Sequence, residues 1–404
     1  MQQLGRRKMM GKHTKSFAGL LIMAVLLVCL AGSSLGAPSA AVVDQWEIPF
    51  LNCLTGPIAS IGEYMAWSAH RAAYEINQKG GIKGKPVKIV DYDTGVSPEK
   101  AVEQMARIVN KSLVSLGPVP EACIMAAMPL AVRQGLFSMT ASTTYEYSTQ
   151  FFPWTLSWYP PTDKHLAPAA AAWAKEQPKM KKVIQFVEKW ACWPSMADAH
   201  ADGLASVGVE TFTVEVPTDA VTFGPLVVRA LAQKPDGFMF TCTSEKVAKI
   251  IIELEKYGWK DKSKILIFSS ADDMPLYTTG RDSLNGCYIY AYFDGAKETP
   301  RWKTFKENYK KDHGGLDPTS LSTIYYDCVY MIKRAIEETD VTGDPKKLKA
   351  ERIMIRDYIR NMQDFDGIQM AWSMKDGIPS DKGSFLFVIE NGIKKCVTYV
   401  EAWK

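Results

Sequence analysis

The stretch EINQKGGIKGKPVKIVDYDTGVSPEKA, Glu75–Ala101, sets a helix end, a glycine turn, a short strand and a new helix start in close succession. Upstream, from Tyr64 to Ile76, the apolar residues Met65, Ala69, Ala72, Ala73 and Ile76 recur at helical spacing, and Gly80-Gly81 supplies a C-cap and turn. Pro86–Val90 reads as the next strand. Ser97-Pro98-Glu99 follows as an N-cap with proline at the first helical position. Working outward, Trp46–Leu54 is a buried strand stopped by Gly56-Pro57, and Ser60 or Gly62 starts the helix that ends at Gly80. The quoted stretch is therefore the middle of a β-α-β-α repeat, which builds a parallel sheet covered by helices.

The alternation continues with a strand at Val114–Leu116, a helix Ala122–Gly135 and a strand Leu136–Met139 running into the polar loop TASTTYEYS. A second series follows: strands Lys182–Val187, Glu210–Val216, Gly237–Thr241 and Ile265–Ser269, with helices near Ser195–Val207, Thr222–Gln233 and Ser244–Tyr257 between them. Cys287–Phe293 begins a return segment. Helices are expected at Pro300–Asp312, Thr319–Glu338 and Leu348–Gln363, then β-segments Phe385–Ile389 and Lys395–Val400 around the Asn391-Gly392 turn. Two series of similar length predict two similar α/β lobes with mainly parallel sheets, and the lack of a long linker predicts lobes joined by several crossings. The expected partition is 44–160 plus about 290–363 for the N-terminal lobe, and 161–289 plus about 364–404 for the C-terminal lobe.

At 404 residues, 47% hydrophobic and 23% charged, the chain can bury a large core. Its 48 Lys+Arg against 44 Asp+Glu leave a formal charge of +4, with no basic patch interleaved with aromatics, which argues against a nucleic-acid partner. The N-terminus reads as a signal peptide over residues 1–36: Arg6, Arg7, Lys8, Lys12 and Lys15 precede the apolar run Phe17–Leu30, and AGSSLGA offers cleavage after Gly36. That run is short for a membrane span of about 20 residues. The mature protein is thus expected to be exported to the periplasm. Seven of the eight cysteines then remain, an odd number with no C-x-x-C and no His at metal-ligand spacing, so most are expected to be small buried side chains and no metal or cofactor is predicted. The histidines His70, His165, His200 and His313 lie away from any nucleophile motif, and G-x-S-x-G, H-E-x-x-H and P-loop patterns are absent, so the chain is not expected to be an enzyme.

Several motifs follow one another in the order of a known family: LTGPIASIG (Leu54–Gly62), EINQKGGIKGKPVKIVDYDTGVSPEKAV, SLGPV (Ser115–Val119), FSMTASTT (Phe137–Thr144), KPDGFMF (Lys234–Phe240), NGCYIYAYFD (Asn285–Asp294) and Tyr325-Tyr326-Asp327. From about Trp46 to Trp403 the chain resembles the Leu/Ile/Val-binding family of type I periplasmic solute-binding proteins, the receptors of ABC importers. The resemblance implies a cleft between the carboxyl ends of two sheets, where open α/β sheets bind ligands in general, and hinged closure of the lobes on a small solute for delivery to a membrane permease. A monomer without a cofactor is expected. A ligand-sensing module and an exported hydrolase are the alternatives.

By position, the resemblance assigns Thr140, Ala141 and Ser142 to the loop that holds a ligand's carboxylate and Ile61 to a residue that covers the ligand; a solvated turn is the other reading of that loop. Glu121, in Val119-Pro120-Glu121, stands where relatives place a serine and would repel an anion at close range. In EKWACWPS, Cys192 and Trp193 occupy the places of a Tyr-Gly pair, with Trp190 close by. The two indoles either stack on a flat or cationic ligand or pack in the lobe core. Thr243 and Ser244 offer hydroxyls at a strand end, and Asp272 or Asp273 falls near the acid that relatives set against a ligand's ammonium. Tyr290 and Tyr292 border a hinge crossing, with core packing as the other reading.

Overall fold

The computed structural model describes residues 41–142, 144–159, 161–190, 193–292, 299–319, 321–368, 371–380 and 383–403. The expected signal peptide and Cys192 lie outside these. Strand β1 (Trp46–Asn52) leads to helix α1 (Ala59–Gln78), and β2 (Val87–Asp93) pairs parallel to β1 from Trp46↔Val87 to Asn52↔Asp93. Asn77, in the last turn of α1, fixes this hand-off: its Nδ2 donates to the Val87 carbonyl at 2.8 Å and its Oδ1 accepts the Val87 N–H at 2.7 Å. Gly81 sits at φ +76° with a Cβ position 2.1 Å from the Lys85 carbonyl, so no other residue fits the turn. Helix α2 (Pro98–Ile108) starts as its sequence predicts, with the Ser97 hydroxyl accepting the Lys100 N–H at 3.2 Å.

The first sheet adds β3 (Val114–Leu116) and β4 (Phe137–Met139), with α3 (Glu121–Gln134) between them, and runs β2-β1-β3-β4, all parallel. The second is built from β5 (Lys182–Glu188), β6 (Glu210–Val216), β7 (Gly237–Thr241), β8 (Ile265–Ile267) and β9 (Tyr288–Ala291). These strands are parallel in the order β6-β5-β7-β8-β9. In both sheets the first strand is flanked by the second on one side and the third on the other. Strand order therefore reverses at β1 and at β5, which makes the crevice at their carboxyl ends the natural ligand site.

Helix α4 (Tyr145–Thr149) follows the first sheet, and α5 (Thr162–Lys175), unassigned from the sequence, precedes the second. Pro168 obscures α5 in the sequence, yet its alanine-rich body lets the next helix, α6 (Trp193–Ala205), approach closely: a Cβ on Gly203 would lie 2.1 Å from the Ala167 carbonyl. The later helices are α7 (Gly224–Leu231), α8 (Ser244–Lys256), α9 (Met274–Gly280), α10 (Pro300–Asp312), α11 (Ile324–Glu338) and α12 (Leu348–Arg360). Two short antiparallel pairs, β10 (Phe365–Asp366) with β11 (Ala371–Trp372) and β12 (Met374–Lys375) with β13 (Ile378–Pro379), were also not legible beforehand. The C-terminal hairpin β14 (Ser384–Glu390) and β15 (Ile393–Val400) adds antiparallel to β9 and widens the second sheet.

Helices α10 and α11 return to α1. Trp67 of α1 meets Phe305 and Tyr309 edge-on, and its Nε1 donates to Asp312 at 2.9 Å. Arg352 of α12 is buried without a carboxylate and instead donates to the carbonyls of Val109, Ser112 and Gln134, where α2 and α3 end. Burial pushes its pKa down to about 10. Cys53, Cys123, Cys242, Cys287 and Cys328 are free and buried, in the apolar role expected for most of the cysteines.

Candidate functional site

The first lobe's mouth is organised by Asp93, the last residue of β2. Its carboxylate accepts the N–H groups of Leu54, Thr55 and Gly95 at 2.9, 3.2 and 2.9 Å and the Thr55 hydroxyl at 2.6 Å, which joins the loops after β1 and β2 into one knot. Burial opposes the charge, but these four donors together outweigh it and hold the carboxyl below its ordinary range. A Cβ on Gly62 would sit 2.1 Å from the Cys53 carbonyl, so α1 begins hard against the end of β1; Ile61, in its first turn, is half-buried.

Thr140 and Ser142 are buried, and their hydroxyls already have protein partners: Thr140 Oγ1 pairs with Thr155 Oγ1 at 3.1 Å, while Ser142 Oγ accepts the Thr144 N–H at 3.1 Å. Glu121 heads α3 and lies 3.2 Å from Ser142 Oγ. The carboxylate and the Ser/Thr loop are thus neighbours, with half-buried Ala141 between the two hydroxyls.

In the second lobe Glu188 ends β5 and is 1% exposed; it accepts the Thr243 N–H at 2.9 Å and hydroxyl at 3.0 Å and pairs with Lys246 at 2.5 Å. Lys246 also donates to the carbonyls of Pro217 and Thr218, so this group ties together the ends of β5, β6 and β7 and engages Thr243 in doing so. Trp190 and Trp193 are half-buried and stacked, ring centroids 5.9 Å apart at 28°, and Trp193 meets Phe268 edge-on at 5.4 Å. Trp193 packs on the core, and both indoles keep an exposed portion.

Asp272 is fully buried, accepts the Tyr277 hydroxyl at 2.6 Å and is paired with Lys394. Asp273 differs: it is 3% exposed and its Oδ1 makes no hydrogen bond. Burial, with the like charge of Asp272 adding to it, raises its pKa to about 7 against the bonds it accepts from Ser244 and the Leu276 N–H. The buried Tyr64 hydroxyl of α1 also lacks a partner, and after burial itself the Asp273 charge acts most strongly on it. Tyr309 of α10 feels the same carboxylate. Ser270 adds a further buried, unpartnered hydroxyl after β8. Tyr64 escaped the sequence reading because it lies on the core face of α1; its signal is a phenol one turn beyond the first-strand loop.

Tyr290 and Tyr292 pack inside: Tyr290 bonds His200 Nε2 at 2.7 Å, and Tyr292 lies 4.2 Å from Tyr159. Burial pushes the His200 pKa down to about 3, so the imidazole is neutral. Among the described residues no group of three or more His, Cys, Asp or Glu is arranged to hold a metal, and no helix is long and apolar enough to cross a membrane.

A sequence model of the family described as periplasmic binding protein matches residues 45–391. The Leu/Ile/Val-binding protein of Escherichia coli (strain K12) is 24% identical over 240 residues, which are 59% of this chain and 64% of the relative. The Leu/Ile/Val/Thr-binding protein of Salmonella typhimurium (strain LT2) is 25% identical over 239 residues, 58% and 64% of the two chains. The chain spans just under two thirds of the length of the curated relatives it matches. Among solved structures, a leucine binding protein from Thermotoga maritima has a TM-score of 0.75 at 22% identity, over 88% of this chain and 98% of that one. A solute binding protein of an ABC transporter from R. palustris, in complex with benzoate, has a TM-score of 0.76 at 14% identity, over 89% and 98%. These structural likenesses speak for the fold.

Proposed function

This chain belongs to the periplasmic binding protein family, and from that premise we propose that it is the solute-binding component of an ABC importer. It captures a small amino-acid-like, aromatic or amine-bearing solute between its lobes, outside the cytoplasmic membrane, and hands it to a permease without chemical change. The lobes of this proposal are 44–160 with about 290–363, and 161–289 with about 364–404. The observation that carries the reading is a pair of electrostatically coupled, unpartnered buried groups, Tyr64 on the helix after β1 and Asp273 in the segment after β8. Buried polar groups without partners cost stability and mark a place completed by something else. Asp273 supplies charge to an amine, Glu121 disfavours a carboxylate at the far end, and the Trp190–Trp193 pair offers a stacking face. Curated relatives are named for branched-chain amino acids and one structural neighbour holds benzoate, so both solute types belong in the panel.

The test is native mass spectrometry of the purified protein for co-purified solute, followed by calorimetry. Aromatic or amine-bearing compounds should bind more tightly than leucine, isoleucine or valine. Trp190→Ala and Trp193→Ala should each weaken the preferred ligand by about 1 kcal/mol or more, Trp190→Ala with an unchanged melting temperature and Trp193→Ala with a lower one, because its ring also packs on Phe268. Tight leucine binding that is indifferent to both substitutions would assign the indoles to the core.

A further inference from the structure

Strand β6 closes the second sheet on one side, and its outer edge carries no further strand among the described residues. The Glu210 N–H donates to the Lys181 carbonyl at 2.8 Å and the Val216 carbonyl accepts the Lys189 N–H at 3.3 Å, so the even-numbered residues of β6 turn their peptide groups toward β5. Thr211, Thr213 and Glu215 therefore turn theirs outward, where no hydrogen bond reaches them among the described residues. The opposite edge of the same sheet is guarded: β15 pairs with β14 through a bulge at Leu386/Phe387 and carries Lys394 and Lys395, devices that prevent strand addition. Strand β6 has a regular register on β5 and neither lysine nor proline.

Phe212 is 43% exposed although it points to the same face as the buried Val214 and Val216. Beside it a groove of about 700 Å³ lies between β6 and α7, lined by Ile184, Val214, Leu226 and Arg229 together with Phe212 itself. An exposed ring and an apolar groove on one patch are the two halves of an isologous contact, in which each copy offers both.

We propose that a second copy of this chain adds to β6 antiparallel, centred on Thr213, and joins the two second sheets into one. In this register Thr213↔Thr213 and Thr211↔Glu215 are hydrogen-bonded pairs, so every outward N–H and C=O gains a partner. Phe212 of each copy falls opposite Val214 of the other in the non-hydrogen-bonded pairs, where side chains approach most closely, and its ring is carried to the other copy's groove. Charge fits as well. Glu210 falls opposite Val216 and Glu215 opposite Thr211, so no two acids oppose, and both acids lie among Lys182, Lys189 and Arg229 on the same patch. This self-complementarity selects a second copy as the occupant, in place of the monomer expected from the family resemblance, and it holds whichever solute is bound.

Sedimentation velocity on the mature protein across a concentration series tests this. A monomer–dimer equilibrium is expected, and Thr213→Pro should abolish it, because the N–H it removes faces outward and the ladder to β5 is untouched. Phe212→Ser, at an exposed position, should weaken the dimer about tenfold or more and serves where the proline variant is unstable. Thr213→Cys should give a disulfide-linked dimer on mild oxidation that the wild type does not give, since directly opposite residues of a hydrogen-bonded pair have Cα atoms about 5.5 Å apart. The proposal is overturned by a monomer at every concentration, by a dimer that the folded variants leave unchanged, or by Thr213→Cys cross-linking no more than the wild type.

Discussion

Two adjacent carboxylates, Asp272 and Asp273, have different fates because of what stands beside each. Asp272 is neutralised by Lys394 and Tyr277, whereas Asp273 is buried with an unpaired oxygen and a pKa raised to about 7. The groups facing Asp273 are Asp272, Ser244, Tyr277, and the phenols of Tyr64 on α1 and Tyr309 on α10. A carboxyl whose folded pKa lies above its unfolded value costs stability as pH rises: nothing is lost below about pH 4, and the loss is complete above about pH 7. Asp273→Asn should therefore raise the unfolding free energy measured in urea at pH 8 by roughly 1–2 kcal/mol, and leave it unchanged at pH 3. For a cationic solute the sign reverses. Affinity should fall as pH drops from 8 to 6, and Asp273→Asn should flatten that dependence in calorimetry; a pH-independent wild type would remove Asp273 from the site.

Among the helices, α12 shows how an element is held by one side chain. Arg352 gives its donors to three carbonyls at the ends of α2 and α3, so Arg352→Ala leaves buried acceptors without partners. A loss of roughly 2–4 kcal/mol in denaturant unfolding is expected, and Arg352→Lys should recover only part of it, since one ammonium cannot serve three separated acceptors. The knot around Asp93 responds to acid instead. Its carboxyl is held below the ordinary range, so its contribution is present above the unfolded value and is lost as pH falls through the lower folded one. Asp93→Asn should remove that acid sensitivity while weakening the loop between β1 and α1, read as a lower melting temperature at pH 7 and a smaller drop between pH 5 and 3.

Across the whole molecule, two sheets share one strand order, and the rings of Tyr159 and Tyr292 meet with centroids 4.2 Å apart. Solute that bridges the lobes should reduce the radius of gyration in small-angle scattering, and an unchanged radius at saturation would argue against hinged closure. N-terminal sequencing of the exported protein should begin near Ala37. An intact Met1 on a soluble cytoplasmic form would remove the importer reading.

The β-α-β-α hand-off at Glu75–Ala101, the strand series and the helix starts at Ser97 and Ser244 were legible in the sequence because caps, glycine turns and apolar periodicity are local signals. Helix α5 was not, since Pro168 masks a segment stabilised by the close approach of Ala167 and Gly203. The site divides the same way. Sequence placed Glu121, Ser142, Trp193 and the Asp272-Asp273 pair at strand ends, but the coupling of Tyr64 to Asp273, and Lys394 taking Asp272 some 122 positions away, depend on how the lobes fold back on each other. Local patterning determined which segments are strands and helices; only tertiary contact decided which of two neighbouring carboxylates kept an open oxygen, because burial and pairing are properties of the surroundings.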